Sequence, residues 1–212
     1  MEPVGGPDRP GRDFLRPDAC AFMVQRDEEL IQRMNEGDAA AFEILYLRYR
    51  DWVYRLAWRF TGNQEDALDI LQETFAYLLK KFPALTPAKR DRAQTEPGFR
   101  LTASITTFLY PAVKHLSLNL RRRCSGSPVD DEILAAIPDP GSSTTSRPEL
   151  AAAMASLSPE HREVVLMRFV DDMSLDEIAA AIAIPSGTVK SRLYRALEIL
   201  RADPRIRDYF LT

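Results

Sequence analysis

Polar and basic side chains near the C-terminus have the types and the spacing to hydrogen-bond with the edges of DNA bases. Projected at about 100° per residue, one side of this segment carries four of them: Thr188, Ser191, Arg192 and Arg195. Lys190 and Tyr194 fall on one flank, and the opposite side is apolar: Val189, Leu193, Ala196, Leu197 and Leu200. Arginine can pair with guanine through two hydrogen bonds, and serine or threonine can donate or accept. The plainer alternative is a surface helical hairpin with a solvated basic face.

The segment 174–200 around these side chains predicts two helices joined by a tight turn. Ser174 and Glu177 stand three residues apart, which is the spacing of a capping box at the start of the first helix. Pro185 and Gly187 break the pattern, and Ser186 is predicted to cap the second helix. Such a pair is the helix-turn-helix motif, whose second helix enters the major groove.

The overall composition is that of an ordinary globular protein. The chain has 212 residues, 45% of them hydrophobic and 28% charged, with a formal net charge of −3. This length allows one or two domains. No apolar run is long enough for a transmembrane helix, and the N-terminus lacks the apolar core of a secretory signal. Two cysteines, Cys20 and Cys124, do not suggest a disulfide framework, and we expect a cytoplasmic protein.

Catalysis is not indicated by the residues present. The two histidines, His115 and His161, fall in different parts of the chain. No Cys/His spacing suits a metal, and no glycine-rich loop suits a phosphate. We therefore expect no enzyme activity, no metal and no cofactor.

The charge is strongly segregated along the sequence. The segment 89–123 contains eight basic and two acidic residues, and the segment 190–207 contains six basic and two acidic residues. Between these basic blocks, the segment 130–149 contains five acidic residues and one arginine. The modest net charge therefore conceals two basic segments separated by an acidic segment.

The periodicity predicts an all-α protein with two small helical domains joined by a flexible linker, the C-terminal one containing the helix-turn-helix. Residues 1–25 read as a disordered tail, 26–123 as the first domain, 124–148 as the linker and 149–212 as the second domain. Within the first domain, 83–98 reads as a loop or an insertion. A fourth helical region over 99–123 is expected to be interrupted or kinked at Pro111, and the linker can hold a short helix at 131–137.

The third helix of the first domain is predicted to start after Asn63 and to run to about Phe82. Its apolar residues define a buried face: Ala67, Ile70, Leu71, Thr74, Phe75, Leu78 and Phe82. Its other side is acidic: Glu65, Asp66, Asp69, Gln72 and Glu73. Acids in a first turn complement the helix dipole, and that is the purely structural interpretation. Because the stripe continues beyond the first turn, we favour a docking face for a basic partner.

The fourth helical region combines aromatic and basic residues: Phe108, Tyr110, Lys114, His115, Arg121, Arg122 and Arg123. Aromatic rings beside cations suit single-stranded nucleic acid, because the rings stack on bases and the cations hold phosphates. Leu109, Val113, Leu116 and Leu120 are assigned to the core. Phe108 and Tyr110 fit either role.

The chain contains these motifs in order: DALDILQETF, the helix ending in Arg-Arg-Arg, the linker, SPEHREVV, MSLDEIA and GTVKSRLYRA. In this order, they resemble a bacterial RNA polymerase sigma factor of the extracytoplasmic-function (ECF) group of the sigma-70 family. The resemblance covers about residues 28–201. It implies that core polymerase is bound, at the β′ clamp helices, by six residues: Asp66, Asp69, Leu71, Gln72, Glu73 and Phe75. The β flap, promoter DNA and an anti-sigma factor are the other partners that it implies, without membrane insertion.

The resemblance also implies two DNA sites, one in each domain. Melting and capture of the −10 promoter element fall to Phe108, Tyr110, Lys114, His115, Asn119, Arg121, Arg122 and Arg123. Reading of the −35 element falls to Ser186, Thr188, Lys190, Ser191, Arg192 and Arg195. The family usually has tryptophan near Phe108, asparagine near His115 and aspartate near Asn119, so this chain departs from the pattern at these positions.

Two other classes of protein stay open on the sequence. One is a helix-turn-helix regulator that binds DNA without acting as a polymerase subunit; it would have no use for the acidic third helix. The other is a protein–protein module whose exposed helices mainly serve a sequestering partner, which is compatible with the sigma role.

Overall fold

The computed structural model describes residues 25–86, 98–125 and 148–206. Within those ranges the chain forms α-helices and one 3₁₀ turn (Pro83–Leu85), without a strand, which confirms the predicted all-α class. The helices are α1 (Asp27–Asn35), α2 (Ala39–Thr61), α3 (Gln64–Leu79), α4 (Ile105–Ser125), α5 (Pro148–Ala155), α6 (Pro159–Phe169), α7 (Leu175–Ala181) and α8 (Ser186–Ala202). None of these helices combines the length and apolar character needed to cross a membrane. The predicted tail, apart from its last residue, and the helix at 131–137 lie outside the described residues.

Local capping sets the boundaries of the helices in the first unit, which comprises α1 to α4. The Asp38 carboxylate accepts a hydrogen bond from the backbone N–H of Ala40, at 2.9 Å, and so starts α2. Gly62 ends α2 in the left-handed conformation, with φ of 77°, where a side chain would be strained. Asn63 then caps α3 by accepting from the Asp66 N–H at 2.8 Å, as the sequence predicts.

The fourth helix starts later than the sequence suggests. Residues 98–104 are not helical, and α4 begins at Ile105. The Asn35 side chain holds this non-helical segment, since it donates to the Phe99 carbonyl at 2.8 Å and accepts from the Phe99 N–H at 3.0 Å. A Cβ on Gly98 would lie 2.8 Å from Asn35 Cγ, so any larger residue there would displace the Asn35 side chain from its hydrogen bonds with Phe99. Pro111 lies inside α4, and the helix continues through it. The expected interruption at Pro111 is therefore wrong.

The second unit comprises α5 to α8. Both halves of the predicted capping box form, because Ser174 Oγ accepts from the Glu177 N–H and Glu177 Oε2 accepts from the Ser174 N–H, at 3.2 and 2.8 Å. The predicted cap at Ser186 is wrong. Pro185 occupies the N-cap position without a side-chain hydrogen bond, and Ser186 is already the first residue of α8.

The two units pack against each other through α4 and α7. Leu109 and Val113 of α4 belong to the same buried apolar cluster as Met167, Met173 and Ile178 of the second unit. A separate small cluster beneath α5 and α8 includes Leu157 and Leu200. The described helices therefore form a closed arrangement in which the second unit covers one side of α4.

Candidate nucleic-acid interface and acidic docking face

The polar side of α3 forms a continuous acidic surface. Glu65, Asp69, Gln72 and Glu73 are exposed, and Asp66 is half-buried, with one carboxylate oxygen 2.6 Å from Asn63 Nδ2. We call these five residues the acidic face.

Leu71 and Phe75, which the resemblance groups with the acidic face, are core residues in the structure. They are only 8% and 4% exposed. The Phe75 ring meets Tyr46 edge-on, with centroids 4.8 Å apart, and Phe42 at 6.3 Å. Burial excludes both as surface contacts in this conformation. They anchor α3 on α2 and so hold the acidic face rigid.

An aromatic cleft of about 710 Å³ lies between the non-helical segment 98–104, α3, α4 and Ala180 of α7. The rings of Tyr77 and Phe108 stack with centroids 5.9 Å apart and an angle of 9° between their planes. Phe99 meets Phe108 edge-on at 5.0 Å. Lys81 Nζ lies 4.9 Å from the Tyr77 centroid. Such a combination of flat apolar faces and a cation can hold an unstacked base beside its phosphate.

Tyr77 was not among the residues predicted for this site. It is 40% exposed on α3, and the sequence assigned that helix to protein docking alone. The feature of the sequence that could have identified Tyr77 is an aromatic residue outside the apolar face of this helix.

The structure divides the predicted −10 residues between two sides of α4. Phe108 and His115 line the aromatic cleft, and His115 Nε2 lies 2.8 Å from Asn119 Nδ2. Arg121 donates to the Phe60 carbonyl at 3.3 Å. The other two arginines, Arg122 and Arg123, are exposed at the end of the helix.

Tyr110 and Lys114 instead face the second unit. Tyr110 is 1% exposed, which settles it as a buried residue in this conformation. Its hydroxyl donates to Glu163 Oε1 of α6 at 2.8 Å, and Lys114 Nζ donates to the same oxygen at 2.8 Å. Burial, with the adjacent Glu163 charge, raises the pKa of Tyr110, so the phenol keeps its proton and acts as a donor.

A second polar contact joins the units at a buried site. Arg59 Nη2 of α2 lies 2.5 Å from both carboxylate oxygens of Asp171, and the two side chains are 3% and 4% exposed. Burial raises the pKa of Asp171, although the charge and hydrogen bonds of Arg59 act in the opposite direction. Sequence analysis missed this pair and Glu163, because nothing in the local pattern of either unit identifies a partner in the other.

The outer side of α8 carries the predicted −35 residues. Lys190, Ser191 and Arg195 are exposed, whereas Ser186 and Thr188 are half-buried. Arg192 is not free: its Nη2 lies 2.6 Å from Glu160 Oε2 of α6. The apolar side is confirmed, since Val189, Ala196 and Leu200 are buried.

Family models match both units. Residues 45–95 match the model described as Sigma-70 region 2, and residues 147–200 match Sigma-70, region 4. The region 2 match includes the acidic face and ends before α4. The region 4 match spans α5 to α7 and almost all of α8.

Curated relatives extend the likeness over most of the chain. An ECF RNA polymerase sigma-E factor of Salmonella typhimurium is 30% identical over 199 residues, which is 85% of this chain and 96% of the relative. ECF RNA polymerase sigma factor SigW of Bacillus subtilis is 28% identical over 82% of this chain and 95% of its own length. SigE of Mycolicibacterium smegmatis is 34% identical over 175 residues, and the match covers 78% of this chain but 63% of that protein.

Solved structures share the fold. CnrH, in complex with the cytosolic domain of CnrY, aligns with a TM-score of 0.56 at 22% identity, covering 83% of this chain and 95% of that one. The sigma factor RpoE of Bartonella quintana, in complex with the anti-sigma factor NepR, aligns with a TM-score of 0.50 at 21% identity, covering 76% and 94%. Together with the nearly full-length relatives and the two matched regions, these likenesses show that the chain belongs to the sigma-70 family of RNA polymerase sigma factors, in its extracytoplasmic-function group.

Proposed function

We propose that this sigma factor binds core RNA polymerase through the acidic face, captures the melted −10 strand in the aromatic cleft and reads the −35 element with α8. The observation that carries the proposal is the exposure of Asp69, Gln72 and Glu73 beyond the first turn of α3. A regulator that only binds DNA would have no use for this surface, because its charge would repel phosphates.

Docking on the β′ clamp helices requires a rigid, complementary surface. The packing of Phe75 against Tyr46 supports this requirement, since it fixes the orientation of α3. Opposite charges across an interface steer association and determine orientation. In this proposal, Leu71 and Phe75 do not contact polymerase themselves and instead support the acidic face from below.

Capture of the −10 strand needs a surface for unstacked bases. The stacked rings of Tyr77 and Phe108 and the exposed His115 provide it. Arg122 and Arg123, exposed at the end of α4, can bind the phosphates. Base–aromatic stacking contributes about 1–3 kcal/mol per base.

Reading of the −35 element fits the exposed side of α8. Lys190, Ser191 and Arg195 project from a helix whose opposite side is buried, as a recognition helix requires. Ser186, Thr188 and Arg192 complete the proposed set. The side chains can then distinguish base pairs through major-groove hydrogen bonds.

The remaining partners are also proposals for this chain. Phe169 and Val170 are 62% and 56% exposed at the end of α6, and adjacent exposed apolar side chains mark an interaction site; we assign the β flap to them. The complexes of CnrH with CnrY and of RpoE with NepR support an anti-sigma factor as a further partner. A polymerase subunit would act in the cytoplasm, without catalysis of its own.

The test is reversal of charge on the acidic face. We expect the full chain with Asp69→Arg and Glu73→Arg to lose co-purification with core polymerase, and promoter-dependent transcription with it. The matched control is Glu28→Arg with Glu43→Arg, which changes two exposed acids of the same unit by the same charge. Equal polymerase binding by the two variants would refute the docking proposal.

A further inference from the structure

We propose that Asn35, the last residue of α1, is a positioning residue for −10 capture. It holds the segment 98–104 in place as one wall of the aromatic cleft, and it thereby determines how well the cleft selects a base. The inference rests on the proposed function, because it concerns the surface to which that function assigns the −10 strand. Asn35 belongs neither to the acidic face nor to the proposed DNA-binding residues.

The carboxamide of Asn35 pairs with both backbone polar groups of Phe99. Its Nδ2 donates to the Phe99 carbonyl at 2.8 Å, and its Oδ1 accepts from the Phe99 N–H at 3.0 Å. Two bonds to one residue restrain both the position and the rotation of the backbone. The pairing matters because the segment 98–104 is not helical, so its polar groups need partners other than the regular bonds of a helix.

Phe99 connects this restraint to the aromatic cleft. Its ring meets the buried Phe82 with centroids 5.4 Å apart and meets Phe108 at 5.0 Å. The residues that follow it line the cleft, and two of them, Arg100 and Thr102, are exposed. The wall therefore presents a cation and a hydroxyl group to a captured nucleotide, and the backbone at Phe99 sets where both begin.

The first helix is a fixed support for this contact. Leu30 and Met34 of α1 are fully buried in the core of the first unit. The turn after α1 lies against the 3₁₀ turn, since a Cβ on Gly37 would lie 3.2 Å from the Ala84 carbonyl oxygen. The end of α1 and the turn after it therefore contact the connection between α3 and α4 on both sides of residues 87–97.

Selection of a base depends on polar groups that stay where the preferred base needs them. Without the Asn35 carboxamide, the Phe99 N–H and carbonyl would pair with water, and the segment 98–104 would adopt other arrangements. Apparent affinity falls with the fraction of molecules in the competent arrangement. The preferred base loses most, because its hydrogen bonds depend most on geometry. The acidic face lies on α3, so polymerase docking should continue.

Hydrogen exchange of the full chain tests the contact without DNA. We expect the Phe99 amide to exchange roughly tenfold faster in Asn35→Ala than in the parent, since its acceptor is lost. Gln32→Ala is the matched control, because it removes an exposed carboxamide from the same helix, and it should leave this amide protected. Equal exchange in the parent and in Asn35→Ala would overturn the proposal.

A substitution at Gly98 breaks the same contact from the other side. Gly98→Ala places a Cβ 2.8 Å from Asn35 Cγ, so it should also speed exchange of the Phe99 amide. Combined with Asn35→Ala, it should add nothing, because the side chain that it displaces is already absent. Additive effects of the two substitutions would overturn the proposal, since they would then act through different contacts.

Selection from a DNA library tests the effect on base choice. Each variant is assembled with core polymerase and mixed with duplexes that carry a random, unpaired window, and the bound sequences are read. We expect the parent to enrich particular bases, Gln32→Ala to match it, and Asn35→Ala to lower the enrichment about tenfold, as for a competent fraction reduced to about one tenth. A merely structural loss would lower the amount of active protein without changing base preference.

The two ways of failing are distinct in this selection. If the parent enriches particular bases and Asn35→Ala retains the full preference, the positioning role is refuted and the proposed −10 capture stands. If the parent assembles with polymerase but shows no base preference in the window, the proposed −10 capture is refuted, and the positioning role with it.

Discussion

The phenol of Tyr110 donates a 2.8 Å hydrogen bond to the carboxylate of Glu163, although the two residues belong to different units. Tyr110→Phe keeps the ring beside Phe60, whose centroid is 6.3 Å away, and removes only the hydroxyl. Since hydrogen bonds to charged groups contribute about 1.5–3 kcal/mol, we expect a loss near the lower limit, with Lys114 still bound to Glu163. Denaturant unfolding of the full chain measures it.

A double-mutant cycle separates this bond from other effects of the hydroxyl. In a Glu163→Gln background, Tyr110→Phe should cost less free energy of unfolding than in the parent, because the charged acceptor is already absent. Equal costs in the two backgrounds would show that the bond between the units contributes nothing.

Arg192 Nη2 lies 2.6 Å from Glu160 Oε2, and this ion pair leads to a prediction for duplex binding. If Arg192 reads a base, it must first leave Glu160. We therefore expect Glu160→Gln to tighten binding to −35 duplex DNA, and Arg192→Ala to weaken it by roughly 1–3 kcal/mol while relaxing sequence preference. Fluorescence anisotropy with matched and scrambled duplexes measures both.

The exposed Arg195 is the comparison for Arg192. Arg195→Ala removes a side chain that α6 does not hold in place, so Glu160→Gln should leave the effect of Arg195→Ala unchanged. A uniform loss of affinity for all duplexes in the Arg192→Ala variant would make Arg192 a phosphate contact instead of a base contact.

Tyr77 and Phe108 stack in the aromatic cleft, with centroids 5.9 Å apart. We expect Tyr77→Ala to weaken binding of the full chain to a fluorescent single-stranded DNA by about 1–3 kcal/mol, the contribution of one stacked base. Tyr77→Phe keeps the aromatic face and should bind nearly as well as the parent. A comparable loss in both variants would assign the effect to the hydroxyl, and stacking would be refuted.

Local chemistry explains which parts of the fold the sequence predicts. Caps such as Asn63 and Ser174 act within three residues, and the buried face of α3 follows from helical periodicity. Non-local contacts leave no such pattern. Arg59 and Asp171 are 112 positions apart, and each reads as an ordinary surface charge within its own segment. The late start of α4 likewise depends on Asn35, 64 residues before Phe99.

For the same reason, the candidate site was predicted as a set of residues and not as an arrangement. Sequence spacing identifies the aromatic and basic character of α4. It does not show that Phe108 faces a cleft while Tyr110 faces Glu163, because that division depends on how the second unit packs.

We expect the capping box of α7 to make the helix-turn-helix sensitive to acid. Burial raises the pKa of Glu177, but hydrogen bonds from Ser104 and from the backbone and hydroxyl of Ser174 outweigh it, and the net pKa is lowered. A carboxyl whose pKa is lowered by folding contributes stability above its ordinary pKa of 4.5, and that stability is lost as the pH falls through the lowered value. We expect the melting temperature of the parent to fall with acid over this range.

Glu177→Gln should flatten that part of the pH profile, since the amide still accepts from the Ser174 N–H but no longer titrates. Ser174→Ala should instead lower stability by about 1 kcal/mol at neutral pH, the usual cost of losing an N-cap hydroxyl. Glu198→Gln, at an exposed position on α8, serves as the control and should retain the parent profile. Parallel pH profiles for the parent and Glu177→Gln would mean that the acid sensitivity arises elsewhere, and the capping carboxylate would then have no part in holding α7 in place.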